Sequence, residues 1–142
     1  MDIFSALRSD HEKQRLLMKV LVETTGDSAS RRDFFQDLKH QLNQHAIAEE
    51  RHFYAPLIKL DNTIELARHA IAEHHEIDEF IAQLEQTEFS SPVWLKTMKA
   101  LQDKVLHHLA EEEKEFFQQA GKNLNATQKE QLATQYNAEM AN

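Results

Sequence analysis

"HAIAEERHFY", His45 to Tyr54, returns further along the chain as "HLAEEEKEFF", His108 to Phe117. Both copies read His-x-x-x-Glu-Glu-x-x-Phe-aromatic. Residues four apart lie one above the other on a helix, so each copy offers an imidazole and a carboxylate to one point. The copies are 63 residues apart, from His45 to His108. The same shift carries Leu38 to Leu101, Leu42 to Val105, Phe53 to Phe116 and Tyr54 to Phe117. It also carries His11 to His74, and around them Leu17 to Phe80, Met18 to Ile81 and Leu21 to Leu84. The chain therefore reads as a helix hairpin used twice. Each hairpin carries one histidine on its first helix and a His-x-x-x-Glu on its second, and packing the two around a pseudo-two-fold axis brings the histidines together.

The faces agree. His74 shares a stripe with Ile77, Ile81 and Leu84 and points inward, whereas His75 is followed by Asp78 and Glu79 and points outward. His45 lies one turn beyond Leu38 and Leu42, and His108 stands in the same relation to Leu101 and Val105. A single His-x-x-x-Glu is usually a surface pair, and a lone core histidine is usually a hydrogen-bonded packing residue. Six such residues at equal spacing across four helices are hard to obtain by accident. His11, His45, Glu49, His74, His108 and Glu112 are the candidate metal ligands, because four imidazoles and two carboxylates tolerate a core only when something neutralises them. Phe53, Tyr54, Phe116 and Phe117 are expected to pack over the metal without touching it. Glu50, Glu111, Glu113 and Glu115 read as a solvated acidic face, and His40, His52, His69, His75 and His107 as surface residues or neighbours of the site.

Outward from the repeat, apolar residues recur near a 3.6-residue period in four long segments. Gly26 within "TGDSAS" separates the first two, and Pro56 should kink or end the second near Lys59. "LDN" precedes the third. Ser91 and Pro92 should cap and open the fourth, with Gly121 as its C-cap. Thr127-x-x-Glu130 suggests a capping box for a short fifth helix. The expected fold class is all-α, an up-down-up-down four-helix bundle with a short additional C-terminal helix, residues 1–142 forming one domain. Only two glycines and two prolines in 142 residues fit that reading.

Composition narrows the function. A net charge of −8 argues against nucleic acid or an anionic membrane as partner. No apolar run approaches the roughly 20 residues that span a bilayer, and the N-terminus does not read as a secretory signal, so a cytoplasmic protein is expected. Without cysteine, thiolate metal sites and thiol catalysis are excluded. No dedicated acid, base or nucleophile marks an enzyme. Six donors are too many for one tetrahedral zinc; two bridged ions would use them and leave positions open.

"SDHEKQRLL", "HAIAEERHFYAPL", "EHHEIDEFI" and "HHLAEEEKEFF" resemble, in order, the four signature helices of the hemerythrin-like HHE cation-binding domains, over residues 5 to 120. The resemblance implies a non-haem centre of two iron ions (Fe2+/Fe3+) with a solvent-derived oxo or hydroxo bridge. In it His11, His45, His74 and His108 would be terminal ligands and Glu49 and Glu112 bridging carboxylates. Two departures stand out. Oxygen-carrying members have His-x-x-x-His on the third helix, where Asp78 follows His74 here, and a longer gap to Asp on the fourth. The implied function is binding or sensing of O2, NO or peroxide, a small diatomic ligand or peroxide being the partner, or of iron itself. The alternatives are a redox-silent module that binds or buffers Zn or Ni, and an interaction bundle without metal.

Overall fold

The computed structural model describes residues 1–142, and every regular element in it is a helix. Helix α1 (Ile3–Leu21) starts where the Asp2 side chain accepts the Ser5 N–H at 2.9 Å. Gly26, at φ +58, turns the chain into α2 (Ala29–Glu49), which Ser28 caps through the Arg31 N–H. A π-helical turn (Glu50–Tyr54) and a last α turn (Ala55–Leu57) continue it. Helix α3 (Ile64–Glu85) is followed by α4 (Pro92–Glu111), with Ser91 as N-cap and Pro92 in the first turn as expected. A second π-helical turn (Glu112–Phe116) leads α4 to its end (Phe117–Asn123), and α5 (Ala126–Met140) closes the chain.

Three expectations about helix ends need correction. Gly121 does not cap α4: its φ is not positive, a Cβ there would meet only the edge of the Phe4 ring, and the helix runs on to Asn123. The Asn123 side chain closes that end by donating to Gln119 O at 2.8 Å. The capping box is Asn125 with Gln128, not Thr127 with Glu130, since Asn125 already satisfies the first-turn N–H groups two residues earlier. Nor is α5 short, at 15 residues.

The π-turns follow the repeat. In each, the residue after the turn bonds back five positions, Ala55 N–H to Glu50 O and Phe117 N–H to Glu112 O. Pro56 is not their cause, because Gln119 holds the equivalent place in the second copy. Each widened turn comes directly behind a His-x-x-x-Glu and buries both members of the aromatic pair, Phe53 with Tyr54 and Phe116 with Phe117.

The core is built in three slices. One apolar cluster contains Leu7, Phe53, Tyr54, Ala70 and Phe116, and the other contains Met18, Leu42, Ile77, Trp94 and Val105. Along each of the four long helices the chain passes from one cluster to the other through a buried polar residue of the repeat. No helix is long and apolar enough to cross a membrane.

Arg31 ties the turns at one end together. It is buried, donates to Thr24 Oγ1 at 3.0 Å and to the carbonyls of Thr24 and Phe89 at 2.6 Å each, and stacks on Trp94. Arg31→Ala strips two carbonyls of their donor and should cost about 2–4 kcal/mol, with Arg31→Lys restoring only part, since one ammonium cannot reproduce the planar fork. Urea midpoints of the three proteins check this.

Candidate metal centre

All six donors of the repeat converge in the polar slice, one histidine from each long helix and one glutamate from each of α2 and α4. His45 Nε2 and His74 Nε2 lie 3.4 and 3.2 Å from Glu49 Oε1. His11 Nε2 is 3.2 Å from Glu112 Oε1 and His108 Nε2 is 3.7 Å from Glu112 Oε2. Each carboxylate therefore spans from one hairpin's histidine to the other's. Donor atoms of His11, His45, Glu49 and Glu112 fall within 4.8 Å of one another, and so do those of Glu49, His74 and His108. Glu49 belongs to both groups, so two cations would share it. Asp78 belongs to neither group and is exposed, although it lines a small cavity beside His45, His74 and His108.

The outer nitrogens of the rings reveal residues that the spacing of the six did not. His11 Nδ1 donates to Glu113 at 2.6 Å, His74 Nδ1 to Glu50 at 2.7 Å and His108 Nδ1 to Glu73 at 2.9 Å. A carboxylate only accepts, so each of these Nδ1 atoms carries a proton, and a bound cation that displaced any proton on Nε2 would find that lone pair turned inward. His45 Nδ1 does the same through Tyr136, whose hydroxyl it meets at 2.5 Å and which itself donates to Asp10. Glu50 and Glu113 are thus not a solvated face, because their side chains reach the outer nitrogens of His74 and His11. Glu111 faces His69 and His107, and Glu115 alone of the four is simply exposed. The 63-residue shift also relates Asp10 to Glu73 and Glu50 to Glu113, so Asp/Glu-His and Glu-Glu doublets were a usable signal. For Tyr136, outside the repeat, there was none.

Tyr54 also departs from expectation. Its hydroxyl donates to Glu49 at 2.8 Å and to Glu112, so it touches the carboxylates directly, while its counterpart Phe117 stacks on the His11 ring. Burial, with the two carboxylates beside it, raises the Tyr54 pKa and keeps the hydroxyl protonated.

Without a cation the slice is held by charge. Burial pushes His45 down, but Glu49, Asp10 and Glu112 overcome it and raise its pKa to about 10. Burial likewise opposes, and Glu49 and Glu50 overcome, in bringing His74 up to about 9. Against its own burial, Glu49 is held well below the usual range, chiefly by His45; Glu112 is raised by burial and by Glu49. Even so, Nε2 of His11, His45 and His108, Glu49 Oε2 and Glu112 Oε1 are buried and make no aligned hydrogen bond, the nitrogens meeting carboxylate oxygens only as ion-pair contacts at 3.2–3.7 Å. A pair of cations satisfies them together, and the donor set fits that occupant.

These shifts give the metal-free protein a definite pH response. A histidine whose folded pKa is raised contributes fully below its unfolded value of about 6.5 and loses that contribution as pH climbs through the folded value. After chelation the melting temperature should fall progressively from pH 6.5 to about 10. Saturating divalent metal, which strips the same protons at lower pH, should flatten the curve. A melting temperature that rises over this interval in chelated protein contradicts the assignment.

Comparison with known proteins places the fold and the sequence. A sequence model of the hemerythrin HHE cation binding domain matches residues 2–120. A protein described as a DNA nickase, from Nostoc sp. (strain PCC 7120), is 28% identical over 138 residues, 97% of this chain but 39% of that protein. This chain thus spans well under half of the relative's length. A crystal structure of a hemerythrin HHE cation binding domain-containing protein from Mycobacterium kansasii has the same fold, with a TM-score of 0.86 at 21% identity over 99% of this chain and 86% of that one. The chain belongs to the hemerythrin HHE cation-binding family.

Proposed function

We propose that this chain is a non-haem di-iron protein that binds or senses O2, NO or peroxide. The ligands in this reading are His11, His45, Glu49, His74, His108 and Glu112, held in an up-down-up-down bundle. The alternating order in which the long helices meet the two apolar clusters supports that topology. The observation that carries the proposal is the set of five buried donor atoms without partners, backed by rings whose outer nitrogens are already engaged. Imidazole with carboxylate suits iron, and an iron pair supplies the one-electron chemistry that protein side chains lack.

The chain's own residues do the rest. Asp10 (through Tyr136), Glu50, Glu73 and Glu113 fix the ring orientations and make the imidazoles better donors. Tyr54 holds Glu49 and Glu112 in place. A cavity of about 10 Å³, beside His45, His74 and His108, has room for one water-sized guest. Gln14 lines it, buried, with its Nε2 lacking a partner, a donor ready for an oxygen atom of such a guest. The nickase activity named for the Nostoc relative is not part of this reading, since the chain covers 39% of that protein and carries a net charge of −8.

Anaerobic Fe(II) titration of chelator-stripped protein should end at two equivalents, and admission of O2, NO or peroxide should develop new visible absorption. His45→Ala with Glu112→Ala should abolish uptake. Two tightly held equivalents with no spectral response to any of the three ligands would favour the buffering alternative, with Zn or Ni found by elemental analysis. Unchanged metal content and stability in the double variant would leave the interaction bundle.

A further inference from the structure

The shift that relates the two hairpins also relates two faces of the core, and these are not alike. On one face Ile3, Ala6, Leu7 and Ala48 are buried in a cluster with Ala133 and Tyr136 of α5, which packs on α1 and α2. Their counterparts on the other are Leu66, His69, Ala70 and Glu111. There His69 and Glu111 keep 53% and 24% of their side-chain surface exposed. Two alanines under a helix are replaced by an imidazole and a carboxylate facing solvent.

Both belong to a cluster. His69 Nε2 lies 2.8 Å from Glu111 Oε1 and 3.6 Å from Glu73 Oε1, and the donor atoms of the three fall within 4.8 Å of one another. His107 Nε2 is 2.9 Å from the other oxygen of Glu111. The same Glu73 Oε1 accepts from His108 Nδ1 at 2.9 Å, so one carboxylate oxygen faces the outer cluster and the core together. The cleft that holds the cluster is also lined by His108 and Glu112. Both are buried, and His108 Nε2 and Glu112 Oε1 have no hydrogen-bond partner. An ordinary surface pair at i, i+4 accounts for His107 with Glu111. It does not account for a second imidazole from α3 on the same carboxylate, beside a buried Glu73 and over unpartnered donors of the core.

We propose that His69, Glu73 and Glu111, flanked by His107, form a second cation site on the open face, a port through which divalent first-row transition ions reach the core. Mixed imidazole and carboxylate donors suit such ions. The exposed position keeps the site weak, as hand-on requires. Glu111 and Glu112, adjacent in sequence, line the same cleft, one in the outer cluster and one among the core donors, and Lys104 braces Glu73 from the side at 3.5 Å. On the face under α5 the equivalent positions, Ala6 and Ala48, carry no donor. The proposal rests on the reading that the core takes cations.

Co(II) alone, added to the chelator-stripped chain, tests it by equilibrium dialysis and by stopped-flow visible absorption. Wild type should take a third, weaker equivalent beyond the two of the core. His69→Ala with Glu111→Gln should lose that equivalent and fill the core roughly tenfold more slowly, the lower end of what a focusing cleft gives, with the final core content unchanged. His75→Ala, an exposed histidine elsewhere on α3, should fill at the wild-type rate. Equal filling rates in wild type and the double variant, with the core full in both, overturn the port and leave the core reading standing. Equal slowing by His75→Ala overturns it as well, because any surface imidazole would then serve. A core that takes no cobalt in the wild type overturns the port together with the reading beneath it.

Discussion

Four imidazoles and two carboxylates lie in the middle of this bundle with almost no water contact, and the rest of the structure answers to that burial. A buried ionisable group is tolerable only when paired, bonded or bound to metal. Every ring is therefore engaged on its outer side, by Glu113, Glu50 and Glu73 directly and by Asp10 through Tyr136. The inner nitrogens are left where they could hold a cation. Apolar clusters close the slice at both ends, so that the field between donors is screened by protein and not by water.

The π-helical turns belong to the same constraint. A regular helix sends successive residues around at 100° steps, so two adjacent aromatics behind Glu49 would not both face the core. Glu50 keeps an α-helical N–H bond to Ala46 O and its side chain reaches His74 from there, as Glu113 reaches His11; the widening follows and lets both aromatics of each pair be buried. The cost of the poorer backbone geometry is offset by about 150–250 Å² of buried ring for each aromatic.

The repeat supplies symmetry, and a few residues remove it. Tyr54 reaches both carboxylates where Phe117 can only stack. Tyr136 enters between His45 and Asp10, whereas His108 bonds Glu73 with nothing between. Helix α5 covers the face carrying Ala6 and Ala48 and leaves the one carrying His69 and Glu111 open. A centre with equivalent ligands thereby acquires one closed side and one accessible side.

How far the chain could be read without coordinates follows from which signals are periodic. The four long helices, the inward stripe and the six donors all repeat at 3.6 residues or at the 63-residue shift, and their convergence was legible because a hairpin used twice must bring like positions together. Family membership was legible from the same segments. Helix ends were less so: Gly121 and Thr127 carry local cap chemistry, but packing against Phe4 and the better cap at Asn125 overrode it. The engagement of Glu50 and Glu113 needed the packing of other helices against them, since each meets a histidine of a different helix. The roles of Tyr136 and of the open face needed the docking of α5, a contact between residues 91 and 126 positions apart. Periodicity along one chain reports which side of a helix is buried; only the packing of helices from distant parts of the chain decides what each buried group meets.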